Sequence, residues 1–245
     1  MTHAIGALAV GAAAAWLSAA PIGLAAARLI GLRASAVLSG AGGVAAATCG
    51  VLLAVHGNGT TLQLGTGPIG GATFHIEPLA APFIVLLGVV AVAIALYAPR
   101  YHEPSQGTGI YLMVYNLALV ASLAVLLAGN VIAFLVAWES MALLCYLLIL
   151  RHHRRHGVAA GAFLFIALSE IGFLLIVLAF AILATRTGTL DLVQMARRSA
   201  HVAIGWRTAV YLLALCGFGF KAGLVPFHIW LSTRPAPAIS TASAG

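Results

Sequence analysis

Apolar residues fill long runs along this chain, separated by short polar gaps. Seven runs stand out, at Ile5–Ala27, Ala34–Val55, Leu79–Ala98, Ile110–Ala128, Val131–Leu150, Val158–Ala184 and Thr208–Leu231. Each is close to the ~20 residues that a helix needs to cross a bilayer. In lipid every backbone amide must find a partner within its own segment, so the runs are expected to be helices. The pattern predicts an all-α, polytopic membrane helix bundle of about seven transmembrane helices. The gap Gly129–Asn130 is so short that the fourth and fifth spans must form a tight antiparallel hairpin. The connection Thr185–Arg207, with TLDLVQMARR inside it, reads as a short amphipathic helix on the membrane surface. The connection Val55–Pro78, rich in Gly and Thr, reads as a solvated loop holding His56 and His75. Gly40, Gly42 and Gly43 in the second span are small residues that let helices approach closely.

Composition agrees with that pattern. The chain has 245 residues, of which 62% are hydrophobic and 7% charged, whereas a soluble domain carries roughly 25% charged residues. A formal charge of +7 does not indicate nucleic acid, because the arginines form no stripe and sit in the gaps between spans. Seven spans put Arg28, Arg33, Arg100, Arg151, Arg154, Arg155 and Arg234 on one side. Arg186, Arg197, Arg198 and Arg207 fall on the other, all in one connection. The positive-inside rule then places the first set in the cytoplasm, with the N-terminus outside and the C-terminus inside, in the inner (cytoplasmic) membrane. Cys49, Cys145 and Cys216 lie within apolar segments without CxxC spacing, so they read as packing residues. The alanine-rich N-terminus lacks a positively charged leader and reads as a first span.

Three charges stand against the pattern. Of the five acidic residues, Asp191 and Glu103 lie in loops, and Glu77 precedes Pro78 at the start of the third span, where a carboxylate suits the helix dipole. Glu139 and Glu170 are different, lying near the middles of the fifth and sixth spans, in FLVAWESMALL and IALSEIGFLL. Lys221, the chain's only lysine, lies in the seventh, in GFGFKAGLVPFHIW. Three unpaired charges at mid-bilayer would cost about 8–10 kcal/mol on insertion scales. They must face the protein interior, pair, or stay neutral. A Glu–Lys pair at about 4 Å gains about 4 kcal/mol at an effective dielectric of 20, so a structural ion pair locking the helices is one reading. The other is a proton relay, with the lysine exchanging protons with a wire of water while glutamate tunes it. Pro226 should break the helix just past Lys221, and Gly217, Gly219 and Gly223 loosen the same turns. Broken helices at mid-membrane line cavities or are buried in protein, and transporters build ion sites in this way.

AWESMALLCYLLI, GFGFKAGLVPFHIWL and FHIEPLAAPF resemble the antiporter-like membrane subunits. That superfamily includes the large proton-pumping subunits of NADH:quinone oxidoreductase, the Mrp sodium/proton antiporters, and the membrane subunit of hydrogenase-4 and formate hydrogenlyase. KAGLVPFHIWL and YAPRYHE are most similar to the hydrogenase-4 branch, and the resemblance covers nearly all of residues 70–231. It implies that Glu139 is the functional glutamate of span five and Lys221 the pumping lysine of span seven, with His228 following as in the family. Glu170 falls where related sequences carry a histidine or another polar group. The implied protein is a subunit with no redox centre or cofactor of its own, working with other membrane and peripheral subunits to move protons or sodium. The implied relay set is Glu139, Lys221, Glu170 and His228, with Pro226, Gly219 and Gly223 at the helix break. Residues 1–109 then form an N-terminal three-span region, residues 110–231 an incomplete antiporter-like module of four spans, and residues 232–245 a polar tail. Where the family continues into a His-Pro-x-Ala-Pro run and an eighth span, this sequence reads WLSTRPAPAISTASAG. That departure reads as the N-terminal, truncated portion of a longer subunit, with Ser232–Gly245 disordered by composition. A non-transporting scaffold, whose buried charges only hold helices together, is the competing expectation.

The basic loop RHHRRH offers His152, His153 and His156 as metal ligands. No acidic or Cys ligand accompanies them, so the loop reads as facing anionic lipid head groups. Trp206 suits an interfacial anchor, Trp230 flanks the last span, and Trp138 reads as packing or as the wall of a Glu139 pocket. Nucleotide loops, nucleophile triads and haem motifs are missing from the sequence.

Overall fold

A computed structural model describes residues 2–24, 29–57, 60–64, 72–102, 105–151 and 158–225. Eight helices and one small sheet follow in chain order: α1 (Thr2–Leu24), α2 (Leu29–His56), β1 (Thr60–Leu64), β2 (Ala72–Ile76), α3 (Ala81–Tyr101), α4 (Gln106–Leu127), α5 (Val131–Leu150), α6 (Val158–Thr187), α7 (Leu192–Ser199) and α8 (Ile204–Ala222). Six of them, α1 to α6, are long and apolar enough to cross a membrane. The chain is a multi-pass membrane protein. α8 is not among the six: it is 19 residues long, and Arg207 and Lys221 near its two ends lower its hydropathy. The rest of the expected seventh span, from Pro226 to Leu231, lies outside the described residues.

Side chains from α1 to α4 share one core, in which Ile5, Trp16, Leu53, Ile84, Leu119 and Leu123 are buried together. Polar groups on α1 and α2 are satisfied across the helix pair. Trp16 Nε1 donates to the Ser39 carbonyl at 3.0 Å, and Ser35 Oγ donates to the Ala19 carbonyl at 3.0 Å. Cys49 is fully buried in this core, as its apolar surroundings imply. The glycines of α2 allow the close approach that their size suggests. A methyl on Gly42 would come 2.6 Å from Trp16 Nε1, and one on Gly43 would come 2.8 Å from the Gly88 carbonyl of α3. α6 packs along α8 in the same manner, since a methyl on Gly217 would sit 2.8 Å from the Gly172 carbonyl. α5 packs between α4 and α6.

The connection expected to be a solvated loop is instead an antiparallel two-stranded sheet, with Thr61 opposite His75 and Leu62 opposite Phe74. TTLQL and ATFHI alternate and are rich in Thr and in apolar residues, which suits a pleated, half-buried ribbon. Ile76 is fully buried, and Leu62 and Phe74 pack on the helical core. The glycines and threonines between and around the strands obscured this alternation. His56, by contrast, is exposed, with Nδ1 2.9 Å from the Leu52 carbonyl.

This ribbon reaches the turn between α4 and α5. The Gly129 amide donates to the Thr73 carbonyl at 2.7 Å, the Val131 amide to the Leu190 carbonyl at 2.9 Å, and the Leu192 amide to the Gly129 carbonyl at 3.0 Å. The two-residue turn is therefore stitched to the connections on either side of it. Asn130 caps α5 by accepting from the Ala133 amide at 2.8 Å. Asp191, assigned to a loop by sequence, caps α7 by accepting from the Gln194 amide at 2.8 Å. The amphipathic helix expected in Thr185–Arg207 is α7 itself. Glu77 takes the N-cap position of a short 3-10 turn, Pro78–Ala80, but makes no side-chain capping bond.

Candidate functional site

α8 stops at the lysine. Lys221 and Ala222 complete its last turn, and Gly223 takes the left-handed conformation, φ 68° and ψ 34°, which costs a side-chain-bearing residue energy that glycine avoids. The amides of Gly223 and Leu224 both return to the Gly219 carbonyl, the latter at 3.1 Å, a helix-end arrangement in which two donors satisfy one orphan acceptor. Gly219 is thus an acceptor at the helix end, Gly223 is the left-handed stop, and Gly217 is a point of contact with α6. Pro226 and His228 lie outside the described residues, as do Glu103, Trp230 and the histidines of RHHRRH.

Because α8 ends here, the ammonium reaches across to the middle of α5. Lys221 Nζ donates to the Trp138 carbonyl at 3.3 Å and lies 4.4 Å from the centroid of the Trp138 ring, within range of a cation–π contact. The indole is held by rings on α5 and α8, backed by one on α6. Phe134 stacks on it at 5.5 Å and Phe218 meets it edge-on at 5.2 Å, while Phe180 closes against Phe134 at 5.5 Å.

Around this contact the structure gathers the other two charges. Glu139 and Glu170 are within hydrogen-bonding range of each other, and both act electrostatically on Lys221. Cys145, about one and two-thirds turns along α5 from Glu139, is a further neighbour of the lysine. All four side chains are half-buried. Glu139 Oε2 is itself buried and has no hydrogen-bond partner. Lys221 forms no direct ion pair with either carboxyl; among the described residues the ion pair present is His75 with Asp191, at 3.7 Å. The three mid-span charges found by sequence therefore come together, but the ammonium is bound by a ring face and a peptide carbonyl. The sequence pointed to Glu139, Glu170 and Lys221 because charge is rare in oil. Trp138 and Cys145 carry no formal charge, so residue type alone does not mark them as part of this site.

At the close of α5, Arg151 lies 4.3 Å from the Tyr111 ring centroid and its Nη2 is 3.3 Å from His102 Nδ1. Tyr97, Tyr101, His102, Tyr111 and Tyr115 form a continuous run of ring contacts there, built in part from the YAPRYHE segment. Trp206 carries the Arg186 guanidinium 4.0 Å above its ring.

The chain has relatives of similar sequence and fold. An uncharacterized protein of Mycobacterium tuberculosis is 33% identical over 204 residues, which are 82% of this chain and 31% of that protein. Hydrogenase-4 component B of Escherichia coli is 30% identical over 174 residues, 70% of this chain and 25% of its own length. The chain thus spans about a third or less of the length of these curated relatives. A chain in the structure of the Mrp complex from Dietzia sp. shares the fold, with a TM-score of 0.73 at 22% identity, covering 95% of this chain and 43% of that one. Residues 128–242, which include Glu139, Glu170 and Lys221, match the profile described as "NADH:quinone oxidoreductase/Mrp antiporter, TM". Over those residues the chain belongs to the NADH:quinone oxidoreductase/Mrp antiporter membrane family.

Proposed function

We propose that this chain carries a station of an ion-translocating path, moving protons in preference to sodium. It would work as a membrane subunit, or part of one, in an oxidoreductase complex of the hydrogenase-4 or NADH:quinone oxidoreductase kind. Electron transfer would take place on other subunits of that complex. In this reading residues 110–231 form the translocating module and residues 1–109 a flanking three-span region. The chain sits in the inner membrane with its N-terminus outside.

One observation carries the reading: Lys221 is held by neutral groups at a helix end, with two carboxyls close by and no direct ion pair. A lysine whose task is to lock helices together gains most from direct contact with a carboxylate. Here the ammonium instead rests on a carbonyl and an aromatic face, and Glu139 keeps a buried oxygen free. Carbonyls released where a helix ends give water and protons further partners.

The test is made in the assembled complex in native membranes. Lys221→Ala is expected to abolish ion movement while assembly and electron transfer persist. Lys221→Arg is also expected to block it, because arginine keeps its proton. Loss of assembly in both variants would instead support the scaffold role. A protonophore that collapses the gradient, with no effect from removing sodium, would identify the ion as the proton.

A further inference from the structure

A cavity of about 560 Å³ opens beside the ribbon, and none of Glu139, Glu170 or Lys221 lines it. Its apolar walls include Leu79, Phe83, Val125, Leu126, Phe134 and Leu192. These residues come from the start of α3, the end of α4, the start of α5 and the first turn of α7. The cavity therefore sits where apolar spans give way to polar chain, at the depth of lipid head groups. Its size suits a small amphiphile.

Two opposite charges, Glu77 and Arg197, share the lining. Both are exposed, yet among the described residues they do not pair with each other. The Glu77 side chain makes no capping bond to the helix start next to it. The remaining polar lining residue, His75, is turned toward Asp191 at 3.7 Å. Arg197 stands on α7 and shares the face that lines the cavity with Leu192, Val193 and Ala196.

We propose that this cavity binds a zwitterionic aminophospholipid, phosphatidylethanolamine in class. Its phosphate meets Arg197, its ammonium meets Glu77, and an acyl chain lies along Phe83 and Leu126. The charge pattern selects the head group. Phosphatidylglycerol would satisfy Arg197 with the same phosphate but bring no cation to meet Glu77. A choline head group brings positive charge but no N–H to donate to the carboxylate, whereas charge-assisted hydrogen bonds are the stronger ones.

The full chain, reconstituted in nanodiscs of equimolar phosphatidylethanolamine, phosphatidylglycerol and phosphatidylcholine, provides the test by native mass spectrometry. Phosphatidylethanolamine should be retained over the other two by about tenfold. Glu77→Gln and Arg197→Gln should each lower that preference roughly fivefold, with helical content by circular dichroism unchanged, and Arg197→Lys should keep most of it. A photoactivatable phosphatidylethanolamine should label peptides containing Phe83 or Leu126. Equal retention of the three lipids, a preference for phosphatidylglycerol, indifference to the substitutions, or no label because another protein segment fills the cavity would each overturn the proposal.

Discussion

A lone ammonium inside a helix bundle needs more than one partner, and Trp138 offers two from a single residue, its ring face and its carbonyl. The carbonyl survives any substitution at that position, so the ring contribution can be isolated. A double-mutant cycle of Trp138→Leu with Lys221→Met, read by denaturation of the detergent-solubilised protein, should give a coupling of about 0.5–2 kcal/mol, the range of a partly desolvated cation–π contact. A coupling of zero would mean that the ring does not hold the lysine. Glu139, Glu170 and Lys221 are legible in sequence because charge near the middle of a span is costly in lipid. Trp138 is not, because an indole among leucines is ordinary packing until the chain shows which way it turns. The expectation of a direct Glu–Lys pair as one way to satisfy the charges also gave way here. Where α8 stops decides what Lys221 can reach, and composition alone does not fix that point.

Among the elements, α2 and α3 meet through positions that have no side chain to spare. A methyl on Gly88 would come within 2.5 Å of both the Gly43 carbonyl oxygen and the Ala47 amide nitrogen, whereas one on Gly11 of α1 meets nothing within 4 Å. Gly88→Ala should therefore lower stability by about 1–3 kcal/mol through overpacking. Gly11→Ala should be neutral or gain up to about 1 kcal/mol from helix propensity. Thermal unfolding of the two variants in the same detergent checks the contrast. If both behaved alike, close approach of the helices would not be what Gly88 provides. The six long helices could be read from apolar runs, since their lengths match the bilayer and their backbones have no alternative in lipid. The β-ribbon escaped notice because five-residue strands carry a weak signal. Ile76 and Phe74 are recognised as inward-facing only once the helices are there to receive them.

For the molecule as a whole, chain direction puts the ribbon, the α4–α5 turn and α7 at one end, and the α3–α4 connection at the other. Cysteines placed at the exposed positions Gln63 and Gln194 should be labelled by a membrane-impermeant maleimide from one side, and a cysteine at exposed Gly107 from the opposite side. Labelling Gly107→Cys in inverted vesicles would add the orientation that the arginine distribution implies. Any pattern with Gln63 and Gln194 on different sides would overturn the arrangement. That successive connections fall at alternate ends follows from alternation of spans, but the tying together of separate connections at one end does not, because those bonds join backbone groups of residues 73, 129–131 and 190–192 whatever their side chains. That seam works like the rivet of a pair of tongs. With these connections joined by peptide groups at one rim, tilting of α5 against α6 would spread the far rim, near Arg151, more than the ammonium's aromatic seat, which lies about two turns along α5 from the seam.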